Sequence, residues 1–178
     1  MKNYIKEVLV SEEQLQQRVS EIGKKISEDY KDKDLMLVGV LKGAFMFMSD
    51  LAKNIDIPLT IDFMAVSSYG NSTESSGVVR ILKDLETSIE GKDILIVEDI
   101  IDTGLTLSYL VKNLKSRGAS SVKICTLLDK PERRLVDVEL EYKGFDIPDE
   151  FVVGYGIDFA EGYRNLPYVC ILKENAYK

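Results

Sequence analysis

Short, almost wholly apolar runs recur along this chain, at residues 35–40, 94–97, 122–128, 151–155 and 168–172. Such a run suits a strand buried on both faces, as strands are in a parallel sheet. The segments between the earlier runs have helical spacing instead. Ser11 and Gln14 make a capping box, and Leu15, Val19, Ile22 and Ile26 follow on one helical face, so the spacing predicts a helix over 11–30. Residues 44–54 read as a second helix. Leu107, Leu110, Val111 and Leu114 mark a third that ends near Gly118. Residues 59–66 and 78–82 are further strand candidates, and the polar, serine- and glycine-rich stretch 67–77 between them reads as a loop. Strands alternating with helices predict an α/β fold, a mostly parallel twisted sheet flanked by helices. Such sheets bind ligands at the carboxyl ends of their strands. The 178 residues suit one domain with a full core, and no repeat or linker divides them.

The string ILIVEDIIDTGLTL, residues 94–107, carries the most chemistry. If 94–97 is a buried strand, Glu98 and Asp99 fall at its carboxyl end. Two adjacent carboxylates there are costly unless they meet hydroxyls or a cation. Asp102, Thr103, Gly104, Leu105 and Thr106 then form a tight polar turn that feeds a helix. A glycine-containing turn at a helix N-terminus presents backbone amides and the positive end of the helix dipole, which suits a phosphate. Carboxylates beside a phosphate site suit the vicinal hydroxyls of a phosphorylated sugar. The turn is neither a Walker nucleotide loop nor a dinucleotide-binding glycine turn.

What the chain lacks narrows the chemistry further. It has no histidine, which removes serine–histidine and cysteine–histidine nucleophiles and most zinc sites. Carboxylates, lysines, arginines, hydroxyls and backbone amides remain, a set suited to phosphate and a hard metal such as magnesium. The net charge of −7 gives no overall attraction to nucleic acid or anionic lipid, and neither is an expected partner. No apolar stretch approaches the length of a bilayer span, and the N-terminal residues lack the apolar core of a secretory signal, so a cytoplasmic location is expected. Cys125 and Cys170 lie inside apolar runs and read as buried free thiols.

The segment VEDIIDTGLTL resembles the phosphoribosyl pyrophosphate (PRPP) signature of the type I phosphoribosyltransferases. VGVLKGAFMFMSDL, SSYG, LLDKPERR and FVVGYGIDFAEGYRNLPYV match in family order, and the resemblance, to the hypoxanthine- and guanine-using members, covers nearly all of the chain. It implies the type I fold, with a small hood formed from terminal segments. It implies purine salvage: PRPP and hypoxanthine or guanine give IMP or GMP and pyrophosphate, with Mg2+ as cofactor, in a homodimer or homotetramer. By the same resemblance Glu98 and Asp99 hold the ribose hydroxyls, directly or through magnesium, and residues 102–106 cradle the 5′-phosphate. Asp102 stands beside purine N7 as acid or base. Lys42, Gly43 and Arg164 bind pyrophosphate, often with a cis peptide in the loop at Lys42. Lys130 donates to the purine O6, Phe151 stacks on the base, and the Val152 backbone reads its edge. Asp158 lies beside the purine and is linked to magnesium, as are Glu98 and Asp99. Ser68 and Tyr69 belong to a lid. Leu105 departs from members that carry lysine there, so only its amide can serve the phosphate.

Two other classes compete. One is a non-catalytic PRPP- or nucleotide-binding regulator on the same fold, against which the net charge and the joint presence of the lid, Lys130 and Asp158 weigh. The other is a phosphoacceptor receiver domain, suggested by the Glu98–Asp99 pair, although receivers carry their acidic pair after the first strand.

Overall fold

The computed structural model describes residues 4–69 and 78–176. The ordered elements are β1 (Ile5–Val10), α1 (Glu12–Asp29), β2 (Leu35–Leu41), α2 (Phe45–Lys53), β3 (Leu59–Tyr69), β4 (Val78–Lys83), β5 (Asp93–Ile101), α3 (Leu105–Ser116), β6 (Ser121–Asp129), β7 (Tyr142–Asp146), β8 (Val152–Val153) and β9 (Val169–Leu172). Strands β4-β3-β2-β5-β6-β7 form a six-stranded sheet in that order. All its neighbours run parallel except β3 and β4. A second sheet, β1-β9-β8, is antiparallel and unites the first strand with the last two. It is the hood expected from terminal segments.

The apolar runs are buried on both sides because helices cover both faces of the larger sheet. Leu95 and Val97 join the cluster built by α1 and α2, while Ile94 and Ile96 join the cluster under α3. The alternation of β5 thus divides between two cores. Helix α1 starts as predicted: Gln14 N donates to Ser11 Oγ at 3.2 Å, and Ser11 N donates to Gln14 Oε1 at 2.9 Å. Its residues Leu15, Val19 and Ile26 are fully buried. Helix α3 ends at the Arg117 cap, followed by Gly118 at φ 83. Among the described residues no helix is long and apolar enough to cross a membrane.

Three boundaries differ from the sequence reading. Strand β5 continues through Glu98 and Asp99 to Ile101, so the acids lie within a strand and not at its end. The reason is one-sided support. Pairing with β2 stops at Gly39↔Val97, while pairing with β6 continues to Ile101↔Asp129. Strand β3 extends to Tyr69, so residues 67–69 are strand, held by β4 through Ser67↔Arg80 and Tyr69↔Val78. The lid expected around Ser68 and Tyr69 otherwise falls on residues 70–77, which lie outside the described residues, as do both side chains. The run at 151–155 shrinks to the two residues of β8, because only Val152 and Val153 pair with β9.

Candidate active site

The site begins where β2 leaves β5. Past Val97, one edge of β5 has no β2 partner, and Glu98 and Asp99 occupy that stretch. Asp99 N donates to Glu98 Oε1 at 3.1 Å, and Ile100 N donates to Asp99 Oδ1 at 2.7 Å. Burial pushes the Glu98 carboxyl well above the usual carboxylate range, and the neighbouring Asp99 adds to the effect. Burial also raises Asp99. Buried carboxylates of this kind are relieved by hydroxyl donors or by a cation.

Two loops close on this pair. Leu41–Lys42 is a cis peptide, and the chain then passes so near β5 that a Cβ at Gly43 would overlap the Asp99 carboxylate. From the other side comes the segment between β8 and β9. Its Gly156, at φ 102, lies so close that a Cβ there would overlap the carbonyl oxygen of Gly43.

The turn after β5 opens α3 at Gly104, whose φ is 85. No side chain caps this end, so its amides remain available for a ligand. Leu105 N makes only a long 3.4 Å bond to Thr103 Oγ1. A cavity of about 240 Å³ lies against the turn, bounded by Glu98, Asp102, Thr103, Gly104 and Thr106 over an apolar base that includes Val40. Leu105 does not line it.

The segment after β6 straps this turn in place. Lys130 N donates to Ile101 O at 3.0 Å, and Leu135 N donates to Thr103 O at 3.0 Å. Two consecutive arginines grip Asp102. Arg134 Nε donates to its carbonyl at 3.1 Å, while Arg133 Nε lies 2.7 Å from its Oδ1 as an ion pair without hydrogen-bond alignment. Arg134 is anchored in turn on the buried carboxylate of Asp129. Asp149 bridges Lys130 Nζ at 3.6 Å and Arg133 Nη1 at 3.5 Å.

The hood side supplies the remaining residues. Phe151 is partly exposed and meets Phe159 edge-on, with ring centroids 5.6 Å apart. Val152 is buried in β8. Arg164 pairs with Asp158 at 3.0 Å and donates to Gly156 O at 2.8 Å. Lys42 reaches Glu161 at 3.0 Å.

Of the predicted residues, Glu98 to Thr106 form one group at the open end of β5, Lys42, Gly43, Asp158 and Arg164 a second, and Lys130 stands apart, paired with the unpredicted Asp149, while Phe151 and Val152 lie on the hood side. The predicted metal set of Glu98, Asp99 and Asp158 is not brought together. Among the described residues no three carboxylate, cysteine or histidine side chains converge as ligands, and Asp158 is engaged by Arg164 and by Glu161 N at 2.9 Å. Asp129, Arg133, Arg134, Asp149 and Glu161 escaped the sequence reading. The charged string after 128 is a signal for the arginines, whereas Glu161 is marked by nothing local.

Residues 9–160, which hold the mostly parallel sheet, the acid pair and the turn at Gly104, fit the family model described as phosphoribosyl transferase domain. Over 178 residues the chain is 58% identical to hypoxanthine-guanine phosphoribosyltransferase of Bacillus subtilis, covering 100% of this chain and 99% of that one. It is 56% identical over 177 residues to the bifunctional protein TilS/HprT of Listeria monocytogenes, covering 99% of this chain but 27% of that longer protein. The crystal structure of a hypoxanthine phosphoribosyltransferase from Staphylococcus aureus superposes with a TM-score of 0.97 at 56% identity, covering 100% of this chain and 97% of that one. The chain belongs to the hypoxanthine-guanine phosphoribosyltransferases.

Proposed function

We propose that this chain is the enzyme of purine salvage that transfers the 5-phosphoribosyl group of PRPP to N9 of hypoxanthine or guanine, giving IMP or GMP and pyrophosphate. The observation that carries the reading is the uncapped N-terminus of α3 at Gly104, set beside the buried Glu98 and the half-buried Asp99. One end of that arrangement takes a phosphate and the other takes ribose hydroxyls, so it fits ribose 5-phosphate as a unit.

Placement supports the following roles. Amides of residues 103–106 and the hydroxyls of Thr103 and Thr106 receive the 5′-phosphate. Glu98 and Asp99 accept from the ribose hydroxyls. Lys42, the Gly43 amide and Arg164 meet the pyrophosphate, where an arginine fork suits two phosphate oxygens. Lys130 donates to the 6-oxo group of the base, which adenine lacks. Phe151 covers the ring, and Asp102 holds or releases the N7 proton. The paired carboxylates of Glu98 and Asp99, both raised in pKa by burial, suit a hard cation that arrives with its own ligands. Glu98 and Asp99 would hold magnesium chelated by PRPP, with Asp158 able to join only on release from Arg164, and the ion would supply positive charge against the departing pyrophosphate. The reading extends to a lid bearing Ser68 and Tyr69, to one domain, to a cytoplasmic setting and to a homodimer or homotetramer. A regulator without turnover is not favoured, given how close the chain stands to enzymes of this family.

Purified protein should be assayed with PRPP and hypoxanthine, guanine, xanthine or adenine. Turnover of hypoxanthine or guanine that excess EDTA abolishes is expected. Robust use of adenine, or PRPP binding with no turnover of any base, would overturn the assignment.

A further inference from the structure

Glu161 has no part in the transfer chemistry, yet its carboxylate lies between the two cations assigned to pyrophosphate. Lys42 Nζ approaches Oε2 at 3.0 Å, and Arg164 Nη2 approaches Oε1 at 3.5 Å. The cations come from different places, Lys42 from the loop after β2 and Arg164 from the segment between β8 and β9. Each oxygen of one carboxylate thus meets one cation, as two oxygens of a diphosphate would. Asp158 also faces Arg164, through Nη2 at 3.0 Å, but does not reach Lys42 by any ion pair among the described residues. Arg164 keeps a donor in reserve, since its buried Nε has no hydrogen-bond partner.

We propose that Glu161 is an internal stand-in for pyrophosphate, a carboxylate that bridges Lys42 and Arg164 in the free protein and gives way when a diphosphate enters. The proposal rests on the assignment of Lys42 and Arg164 made above. Glu161 then competes with each anion that seeks this place. It keeps the two cations apart from stray phosphate and hastens the departure of pyrophosphate once transfer is done. Both Lys42 and Glu161 are about two-thirds exposed, so the competition is mild. Exposed ion pairs of this kind correspond to roughly 1.5- to 5-fold in affinity.

The test is calorimetric titration of inorganic pyrophosphate with magnesium into wild type, Glu161→Gln, Lys42→Ala and the double variant, at low ionic strength. Glu161→Gln should bind about two- to five-fold more tightly than wild type. The gain should shrink in about 1 M salt, where exposed charges are screened. It should vanish in the Lys42→Ala background. Unchanged or weaker binding by a folded Glu161→Gln protein overturns the proposal, as does an equal gain with Lys42 absent. If Lys42→Ala weakens wild-type binding while Glu161→Gln fails to tighten it, the stand-in role alone falls. If wild type does not bind pyrophosphate, or Lys42→Ala leaves its affinity untouched, the assignment of Lys42 falls and takes the stand-in with it.

Discussion

Replacing Arg134 with methionine should destabilise the protein by about 3 kcal/mol, and the structure says why. The Arg134 side chain is 19% exposed, whereas its partner Asp129 is only 5% exposed at the end of β6. Methionine keeps the apolar stem but leaves a buried carboxylate whose remaining cation, Lys143, stands 3.4 Å from the other oxygen. Removing one member of a buried pair costs roughly 3–5 kcal/mol, and the residual Lys143 contact places this case at about the lower end. The variant also loses the bond from Arg134 Nε to Asp102 O, which steadies the phosphate turn. For a chain of this length about 3 kcal/mol corresponds to a fall in Tm of roughly 6–12 °C. Urea and thermal unfolding would measure it. The companion variant is Asp129→Asn combined with Arg134→Met, which removes the stranded charge. It should recover at least about 1 kcal/mol relative to Arg134→Met, as coupled neighbours do. A double variant no more stable than Arg134→Met would refute the reasoning, because the loss would then owe nothing to the Asp129 charge.

Asp102→Asn should lower kcat by roughly 10²–10⁴-fold while PRPP affinity changes little, measured by single-turnover kinetics and direct titration; near-normal chemistry would move the proton elsewhere. Lys130→Ala should lower kcat/KM for hypoxanthine and guanine by the worth of a charged hydrogen bond, about 1.5–3 kcal/mol. Gly156→Ala forces a side chain into a backbone at φ 102 and against Gly43 O, and should cost about 1–3 kcal/mol in denaturant unfolding. Both thiols should resist alkylation in the native protein and react on unfolding. Cys125 and Cys170 are fully buried, and burial pushes the Cys170 thiol up to about 11 and Cys125 higher still.

Strands β2 to β6 of the larger sheet and the helices were legible because each of them announces itself locally. The α1 capping box, the apolar run of β2 and the Gly118 stop all act within a few residues. Strand β1 was not legible. Its sequence IKEVLV leaves half of its positions exposed, and its pairing partner β9 is more than a hundred residues away in sequence. Strand β7 was missed because YKGFD is short and contains Gly144, whose missing side chain lets Leu127 O approach. The site divides the same way. Acids, turn and glycine are contiguous between 98 and 106 and could be read together. The meeting of Lys42 with Glu161, or of Asp149 with Arg133, depends on loops from separate elements, and only the folded chain brings them within reach.

The hood has a bearing on the order in which the molecule is made. Strand β8 pairs only with β9, and β1 only with β9, so neither is held by a neighbouring strand until residues 169–172 exist. A nascent chain emerges in sequence order, and β1 must wait for its mate until the chain from Val10 to Val169 has been made. Meanwhile β5, α3 and β6 pair with near neighbours and can settle early. The turn at residues 102–106 is thus complete before the hood segment bearing Phe151 and Val152 has anything to lean on. A ribosome-bound or clipped chain lacking β9 would keep the turn that we propose for the sugar phosphate and lack the wall that we propose for the base, so β9 is the strand that brings the two together.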